Sequence, residues 1–181
     1  MRTVRRRLAT AHSCNSRTHN LGIDIGRVII APNATDDDDT SFIGGTLEHA
    51  LATPACEGVY DVLPDLVRWY EGRVWLVSKA RPRVQEKTRR WLAQQQFFER
   101  TGIASHHLRF CQERSEKAVH CRELAITHFI DDRADVLRHL EGIVAHRYLF
   151  GPQADPSPPG LVPVESWHGV PAAIAATCTN E

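Results

Sequence analysis

The sequence predicts an α/β fold in which helices cover both faces of a mostly parallel sheet. Short apolar runs such as "RVWLVSK" alternate with longer amphipathic stretches such as "PRVQEKTRRWLAQQQFFER". This alternation is typical of βαβ units, in which a helix crosses over between two parallel strands. The length of 181 residues fits about one domain, and the hydrophobic fraction of 42% is that of an ordinary globular protein.

The elements follow one another in a regular order. "LGIDIGRVII" at 21–30 is predicted as the first strand, and "VYDVLPDLVRWYEG" is the helix that leads to the strand "RVWLVSK". After the next helix, the predicted elements are "HLRFC", "SEKAVHCRELAIT", "HFIDD", "ADVLRHLEG" and "VAHRYLF". The Pro-rich stretch "GPQADPSPPG" then acts as a linker before the last strand and helix, "VPVESWHGVPAAIAA".

Two segments interrupt this alternation. Residues 1–19 hold five arginines and no acid, so they are predicted to be a disordered basic leader. The leader is interpreted as an untargeted extension, with a mitochondrial presequence as the alternative. Residues 31–54 contain "DDDD" at 36–39, which predicts a hydrated loop or a flap over the end of the first strand. Residues 20–181 are expected to form a single domain.

Charge and cysteine content exclude several classes of function. After residue 23 the chain holds 17 of its 22 basic residues and all 22 acidic residues, so no general nucleic-acid binding is expected. No stretch is apolar for the roughly 18 residues that a membrane helix needs, which predicts no membrane partner. Five cysteines without a C-x-x-C pair favour reduced thiols and a cytoplasmic location. The oligomeric state is left open.

Polar residues at the ends of the predicted strands are the candidates for chemistry, because ligands of open parallel sheets bind there. They are Asp24, Ser78 with Lys79, and Asp131 with Asp132, joined by Lys117 at the start of a helix. Carboxylates that converge from different strands need a cation, and hard oxygen ligands suit Mg²⁺. A hydroxyl and an ammonium group would bind phosphoryl oxygens, so the set predicts phosphoryl transfer.

The order of these motifs resembles the haloacid dehalogenase-like (HAD) superfamily. "GIDIGRVI" is similar to its first motif, "VWLVSK" to the second, "SEKAV" to the third and "HFIDDRADVL" to the fourth. The resemblance spans residues 21 to about 150 and implies a three-layer Rossmann-like (HAD-like) parallel sheet. Two rival classes are excluded by their motifs: no Gly-Lys-Ser/Thr loop of a P-loop NTPase is present, and a phospho-receiver domain has its acidic pair before its lysine.

The resemblance also implies a role for each residue. Asp24 would be the nucleophile and a metal ligand, with the Gly26 carbonyl and Asp132 completing the ligand set for Mg²⁺. Ser78 would hydrogen-bond the phosphoryl group and Lys117 would neutralise its charge. Asp131, which would orient metal-bound water, and Lys79 would support these groups. Three alternatives remain open: Ser78 as a turn residue, Lys117 as a solvated helix start, and Lys87 as the lysine of the third motif.

Gly26 departs from the pattern of the family. Phosphatases of the family usually carry at that position a second Asp that protonates the leaving group. The resemblance implies a Mg²⁺-dependent phosphatase that forms an aspartyl-phosphate, and the glycine favours leaving groups that need no proton. The alternative is a catalytically inactive module that binds metal, phosphate or protein. The short intervals between motifs predict no large cap domain, and an open site of this kind suits a bulky phosphorylated substrate. Dehalogenation is a minor third expectation.

Overall fold

The computed structural model describes residues 19–32 and 45–178, which form one six-stranded parallel sheet with helices on both faces. The strand order is β3-β2-β1-β4-β5-β6. The strands are β1 (Leu21–Ile23), β2 (Val74–Lys79), β3 (Leu108–Cys111), β4 (His128–Asp131), β5 (His146–Phe150) and β6 (Val162–Val164). The helices are α1 (Leu47–Ala52), α2 (Val59–Trp69), α3 (Pro82–Gln94), α4 (Phe97–Thr101), α5 (Lys117–Glu123), α6 (Ala134–His139) and α7 (Val170–Cys178). The predicted α/β architecture is confirmed.

The central strand β1 is shorter than the sequence predicts. It pairs with β2 and β4 only through residue 23, and the backbone then turns, with the amide N–H groups of Ile29 and Ile30 donating to the Ile25 carbonyl at 2.9 and 3.0 Å. The apolar residues of this turn are buried as completely as a strand would be, which explains why the run looked continuous. The turn places Asp24 at the end of the strand instead of inside it.

A glycine in β1 leaves room for an aromatic ring on the neighbouring strand. A Cβ atom on Gly22 would lie 2.4 Å from the ring of Phe129, which sits beside it on β4. The direction in which the strands follow one another reverses between β1 and β4. Strands β2 and β3 lie on one side of β1, and β4, β5 and β6 lie on its other side. Such a reversal opens a crevice at the carboxyl ends of the two strands, and that crevice is where ligands of this architecture bind.

Two buried clusters, one on each side of the sheet, form the core. Two fully buried tryptophans connect the core to loops through their indole N–H groups, which donate to the carbonyls of other segments. Trp167 donates to Val28 in the turn after β1 at 2.7 Å, and Trp91 donates to Thr53 at 2.8 Å. The first of these bonds fixes the turn that carries Asp24.

The segment 31–54, predicted as a loop or flap, contains α1 in its second half. Thr46 caps this helix by accepting a hydrogen bond from the His49 N–H, and Ala50 is buried against the core. The acidic run 36–39 and residues 1–18 of the predicted leader lie outside the described residues. His19, the last residue of the predicted leader, packs its ring against His128. No large cap domain is evident in residues 19–32 and 45–178, and within these ranges no helix has the length and apolar character to cross a membrane.

Candidate active site

A pocket of about 220 Å³ opens at the carboxyl ends of β1, β2 and β4, in the crevice where the strand order reverses. All the residues to which the resemblance assigns a role line it: Asp24, Gly26, Ser78, Lys79, Lys117, Asp131 and Asp132. They come from three strand ends and one helix start, and up to 108 residues of chain separate them. The rule that polar strand ends meet at one edge of a parallel sheet therefore locates the pocket, while the roles of its residues stay predictions.

Asp24 is the first residue after β1, and both its backbone and its side chain are held in place. Its amide N–H donates to the Ile130 carbonyl of β4 at 2.9 Å, and its Oδ1 lies 2.8 Å from the Nζ of Lys117. Only 8% of the residue is exposed. The ammonium group thus fixes the carboxylate through one oxygen, and the other oxygen remains for a ligand in the pocket.

Lys117 is the central cation of the site. It begins α5, directly after a 3₁₀ turn in which Glu116 accepts the N–H groups of Gln112 and Glu113. Its Nζ lies 2.7 Å from Oδ2 of Asp131 as well as 2.8 Å from Asp24. Burial alone would lower the pKa of Lys117, but the two carboxylates hold it above its usual value. The lysine is 1% exposed, so the interpretation as a solvated helix start is wrong.

The neighbours Asp131 and Asp132 occupy different environments. Asp131 is fully buried, and both of its oxygens are bonded by the protein, Oδ2 by Lys117 and Oδ1 by the Arg133 N–H at 3.0 Å. Asp132 reaches into the pocket, where its Oδ2 faces the Arg27 guanidinium at 3.2 Å. Burial raises the pKa of Asp132 to about 7, and the charges of Asp131 and Asp24 add to the shift. Burial likewise raises the pKa of Asp131, to about 6.

The carboxylates of Asp24, Asp131 and Asp132 offer oxygens that lie within 4.8 Å of one another. Three acids this close repel one another, and this repulsion adds to the effect of burial in raising the pKa values of Asp131 and Asp132. One buried lysine does not neutralise all three. A hard divalent cation would relieve the repulsion, so the donor set fits Mg²⁺. The pocket-facing oxygens belong to Asp24 and Asp132, because Lys117 and Arg133 already occupy those of Asp131.

The opposite wall of the pocket comes from the end of β2. Ser78 is 7% exposed and lines the pocket, with Lys79 and Ala80 after it. The Ser78 carbonyl accepts a weak hydrogen bond from the Cys111 thiol of β3 at 3.8 Å. Ser78 therefore lines the same pocket as Asp24 and Lys117. Lys87, the alternative third-motif lysine, is also buried, but its Nζ donates to the Gly45 carbonyl at 2.6 Å and the residue does not line the pocket.

Sequence reasoning missed four arginines that line the pocket: Arg27, Arg81, Arg114 and Arg133. Each stands within three residues of a predicted site residue, which is the signal that could have found them. Arg27 also has a φ of +61°, a left-handed conformation that costs a side-chain-bearing residue energy. The turn between Gly26 and Ile30 imposes that conformation, and it places the arginine beside Asp132.

The order of the parallel strands and the helices on both faces define an α/β protein with a Rossmann-like fold. Among solved structures, a haloacid dehalogenase-like family hydrolase from Xanthomonas campestris matches with a TM-score of 0.51 and 19% sequence identity. The match covers 75% of this chain and 60% of that hydrolase, so this chain spans less than two thirds of its length. At this identity the likeness establishes a shared fold. No protein-family model matches the sequence, and no curated protein is significantly similar to it.

Proposed function

We propose that this chain is an uncapped HAD-like hydrolase, a Mg²⁺-dependent phosphatase that acts on a phosphate ester or anhydride. The observation that carries the proposal is the position of Lys117, whose ammonium joins Asp24 to Asp131 in a pocket that Ser78 and Asp132 also line. A nucleophile, a buried cation, a hydroxyl and a pocket-facing carboxylate are the groups that phosphoryl transfer to an aspartate needs. The solved structure of shared fold is described as a hydrolase, which supports hydrolysis as the type of reaction.

The reaction has two steps, with Asp24 as the attacking group in the first. The free oxygen of Asp24 forms a bond to phosphorus while the bond from phosphorus to the leaving oxygen breaks, and the leaving oxygen takes its proton from solvent. Water then attacks phosphorus and releases the Asp24 carboxylate, inorganic phosphate and a proton. Ser78 donates a hydrogen bond to a phosphoryl oxygen, and Lys117 holds Asp24 in position.

Mg²⁺ would be held by Asp24, the Gly26 carbonyl and Asp132, and when bound it offsets the repulsion between the carboxylate and the phosphate. Asp131 acts through Lys117, because its oxygens are both bonded within the protein. Gly26 has no side chain that could protonate the leaving group in the first step. A general acid typically contributes 10² to 10⁴ in rate, so acyl, aryl and nucleotide phosphates are the favoured substrates.

A screen of aryl, acyl, sugar and nucleotide phosphates, with and without Mg²⁺, tests the proposal. We expect Mg²⁺-dependent release of phosphate from the wild type and none from Asp24→Asn, because an amide cannot form the acyl-phosphate. Asp155→Asn is the matched control, since it removes one exposed carboxylate in the linker before β6 and should leave the rate unchanged. Release of phosphate at an equal rate from Asp24→Asn would contradict the proposal.

Gly26 also favours a second candidate, a module that binds phosphate and metal in this pocket without turnover. The wild type would then bind phosphate in a Mg²⁺-dependent way but release none from any substrate in the screen. Binding measured by calorimetry alongside the screen separates the two candidates. Turnover that depends on Asp24 excludes the binding module.

A further inference from the structure

The mouth of the pocket carries more positive charge than one phosphate group needs. Five basic residues besides Lys117 line the pocket, and we call them the basic rim: Arg27, Lys79, Arg81, Arg114 and Arg133. They lie next to the site residues in sequence, as in "SKAR", "ERSEK" and "DDR". The rim is a local feature, because acidic residues outnumber basic ones in the chain after residue 23.

Three arginines of the rim have a carboxylate partner. Arg27 faces Asp132 at 3.2 Å, and Arg114 and Arg133 both contact Asp135, at 3.5 and 3.2 Å. These two guanidinium groups hold the pKa of Asp135 below its usual value, so it is ionised at neutral pH. Asp135 stabilises the two arginines on one side of the mouth.

Lys79 and Arg81, on the β2 side of the mouth, differ from the others. Neither has a carboxylate within 4.0 Å in residues 19–32 and 45–178. Lys79 is half-buried and Arg81 is exposed at the start of α3, a helix of 13 residues with no acid in its first turn. Both residues line the pocket, as does Val84 in the first turn of α3, and the amino-terminal end of this helix adds positive charge beside them.

The charges inside the pocket are otherwise balanced. Asp24, Asp131 and Asp132 bring three negative charges against the single charge of Lys117, and a magnesium ion would match the remaining two. The charge of Arg27, and the one positive charge by which Arg114 and Arg133 exceed Asp135, would match the two charges of a phosphate monoester. Lys79 and Arg81 are then left over. Two positive side chains at the mouth of a binding pocket raise affinity most for a ligand that places further negative charge beside them.

We propose that the physiological substrate carries a second anionic group, a phosphate or a carboxylate, which binds Lys79 and Arg81 while the reacting phosphate lies against Asp24. This inference rests on the proposed function, because it assumes that the reacting phosphate occupies the pocket. Lys79 and Arg81 are specificity-determining residues in this arrangement. They contact the part of the substrate that does not react, so they affect its affinity and leave the chemical step unchanged.

Calorimetric titration with non-hydrolysable phosphonates tests the proposal on the full chain in saturating free Mg²⁺. The probes are alkylphosphonates, matched bisphosphonates and matched phosphonocarboxylates, each with linkers of one to four carbons. We expect one bisphosphonate or phosphonocarboxylate to bind about tenfold more tightly than the alkylphosphonate of equal length, a typical gain for a charge-assisted contact. Which of the two series shows the gain identifies the second group as phosphate or carboxylate.

The double variant Lys79→Gln with Arg81→Gln should lose this gain and bind the alkylphosphonate within about twofold of the wild type. Arg83→Gln is the matched control, because Arg83 is exposed in the same first turn of α3 but does not line the pocket. Equal affinities for one-anion and two-anion probes at every length would overturn the inference and leave the proposed function standing. An equal loss of the two-anion gain in Arg83→Gln would show that the general positive field of the helix causes the gain. That result would also overturn the inference. Failure of every probe to bind would refute both proposals.

Discussion

The Nζ of Lys117 lies 2.8 Å from Oδ1 of Asp24, although 93 positions of the sequence separate the two residues. The ion pair forms between the start of α5 and the end of β1, two elements that meet because β4 lies beside β1 in the sheet. Neither residue is more than 8% exposed. A buried pair of this kind fixes the position of the Asp24 carboxylate more than it stabilises the fold, because desolvation of both charges offsets most of their attraction.

Substitution of Lys117 should therefore damage both stability and the site. In Lys117→Met, Asp24 and Asp131 lose their cation, and removal of one partner from a buried ionic group typically costs about 3 to 5 kcal/mol of unfolding free energy. We also expect no Mg²⁺-dependent hydrolysis of an aryl phosphate. Urea unfolding and a phosphate-release assay measure the two effects.

Lys87→Met provides the matched control for Lys117→Met. Lys87 is another buried lysine, but it bonds the Gly45 carbonyl and stands outside the pocket. Its substitution should lower the free energy of unfolding and leave the aryl phosphatase rate per folded molecule within about twofold. Loss of activity in Lys87→Met with full activity in Lys117→Met would assign the third motif to Lys87.

The two neighbouring aspartates should respond differently to the same substitution. Asp132→Asn removes a carboxylate that we propose as a Mg²⁺ ligand, so we expect the thermal stabilisation by Mg²⁺ to disappear while the protein without added metal stays folded. Asp131→Asn leaves Lys117 with one carboxylate and should lower the unfolding free energy by at least about 2 kcal/mol. Melting curves with and without Mg²⁺ measure both effects. A Mg²⁺ shift that survives in Asp132→Asn would exclude this residue as a ligand.

The affinity for Mg²⁺ should also decrease as the pH falls. Burial raises the pKa of Asp132 to about 7, so below that pH a proton occupies the carboxylate and competes with the metal. We expect the apparent dissociation constant to rise by up to about tenfold per pH unit below pH 7. Calorimetry at three pH values measures this slope, and a constant affinity across them would contradict it.

The sequence was sufficient to predict the sheet and the polar strand-end residues of the pocket, because both follow from general rules. Asp24, Ser78 and Asp131 end apolar runs, and parallel strands place their carboxyl ends at one edge. The difference between Asp131 and Asp132 could not be predicted in the same way. It depends on which of the two carboxylates Lys117 contacts, and that contact follows from the packing of α5 against the sheet.

The turn at 25–30 shows the same limit of local patterns. Its apolar residues suit a strand, but the Trp167 indole, 139 positions away, bonds the Val28 carbonyl and stabilises the turn. The left-handed conformation of Arg27 follows from this turn, and arginine has no intrinsic preference for it. The arginines of the basic rim were missed for a related reason, since the direction of a long side chain in a loop depends on contacts that sequence spacing does not specify.

A histidine cluster at the opposite end of the sheet from the pocket predicts a pH-dependent stability. His128 is fully buried at the start of β4, beside the rings of His19, His146, Tyr70 and Tyr148. Burial lowers the pKa of His128 to about 3, and the nearby His146 and His19 add to the shift. The folded protein therefore keeps this ring neutral under conditions in which the unfolded chain binds a proton.

Stability should then fall as the pH drops below 6.5, the ordinary pKa of the histidine, and continue to fall until about pH 3. Between about pH 7 and pH 5, His128 should account for about 2 kcal/mol of lost unfolding free energy. His128→Phe should remove that share of the pH dependence, while His139→Gln, at the exposed end of α6, should keep it. Urea titrations at the two pH values measure the difference, and an unchanged slope in His128→Phe would show that other groups cause it.

Gly26→Asp tests whether the missing acid limits the choice of substrate. If Asp24 forms a phosphoryl bond, a carboxylic acid at position 26 can protonate the leaving oxygen, which matters for a poor alkyl leaving group and little for an aryl one. We expect the ratio of alkyl to aryl phosphate hydrolysis to rise, by less than the 10² that an evolved acid gives, because a grafted side chain lacks supporting contacts. Gly26→Asn is the matched control, since it has the same size and no acidic proton. An equal rise in Gly26→Asn would attribute the effect to shape, and a ratio that stays constant in Gly26→Asp would show that proton transfer at this position does not limit the reaction.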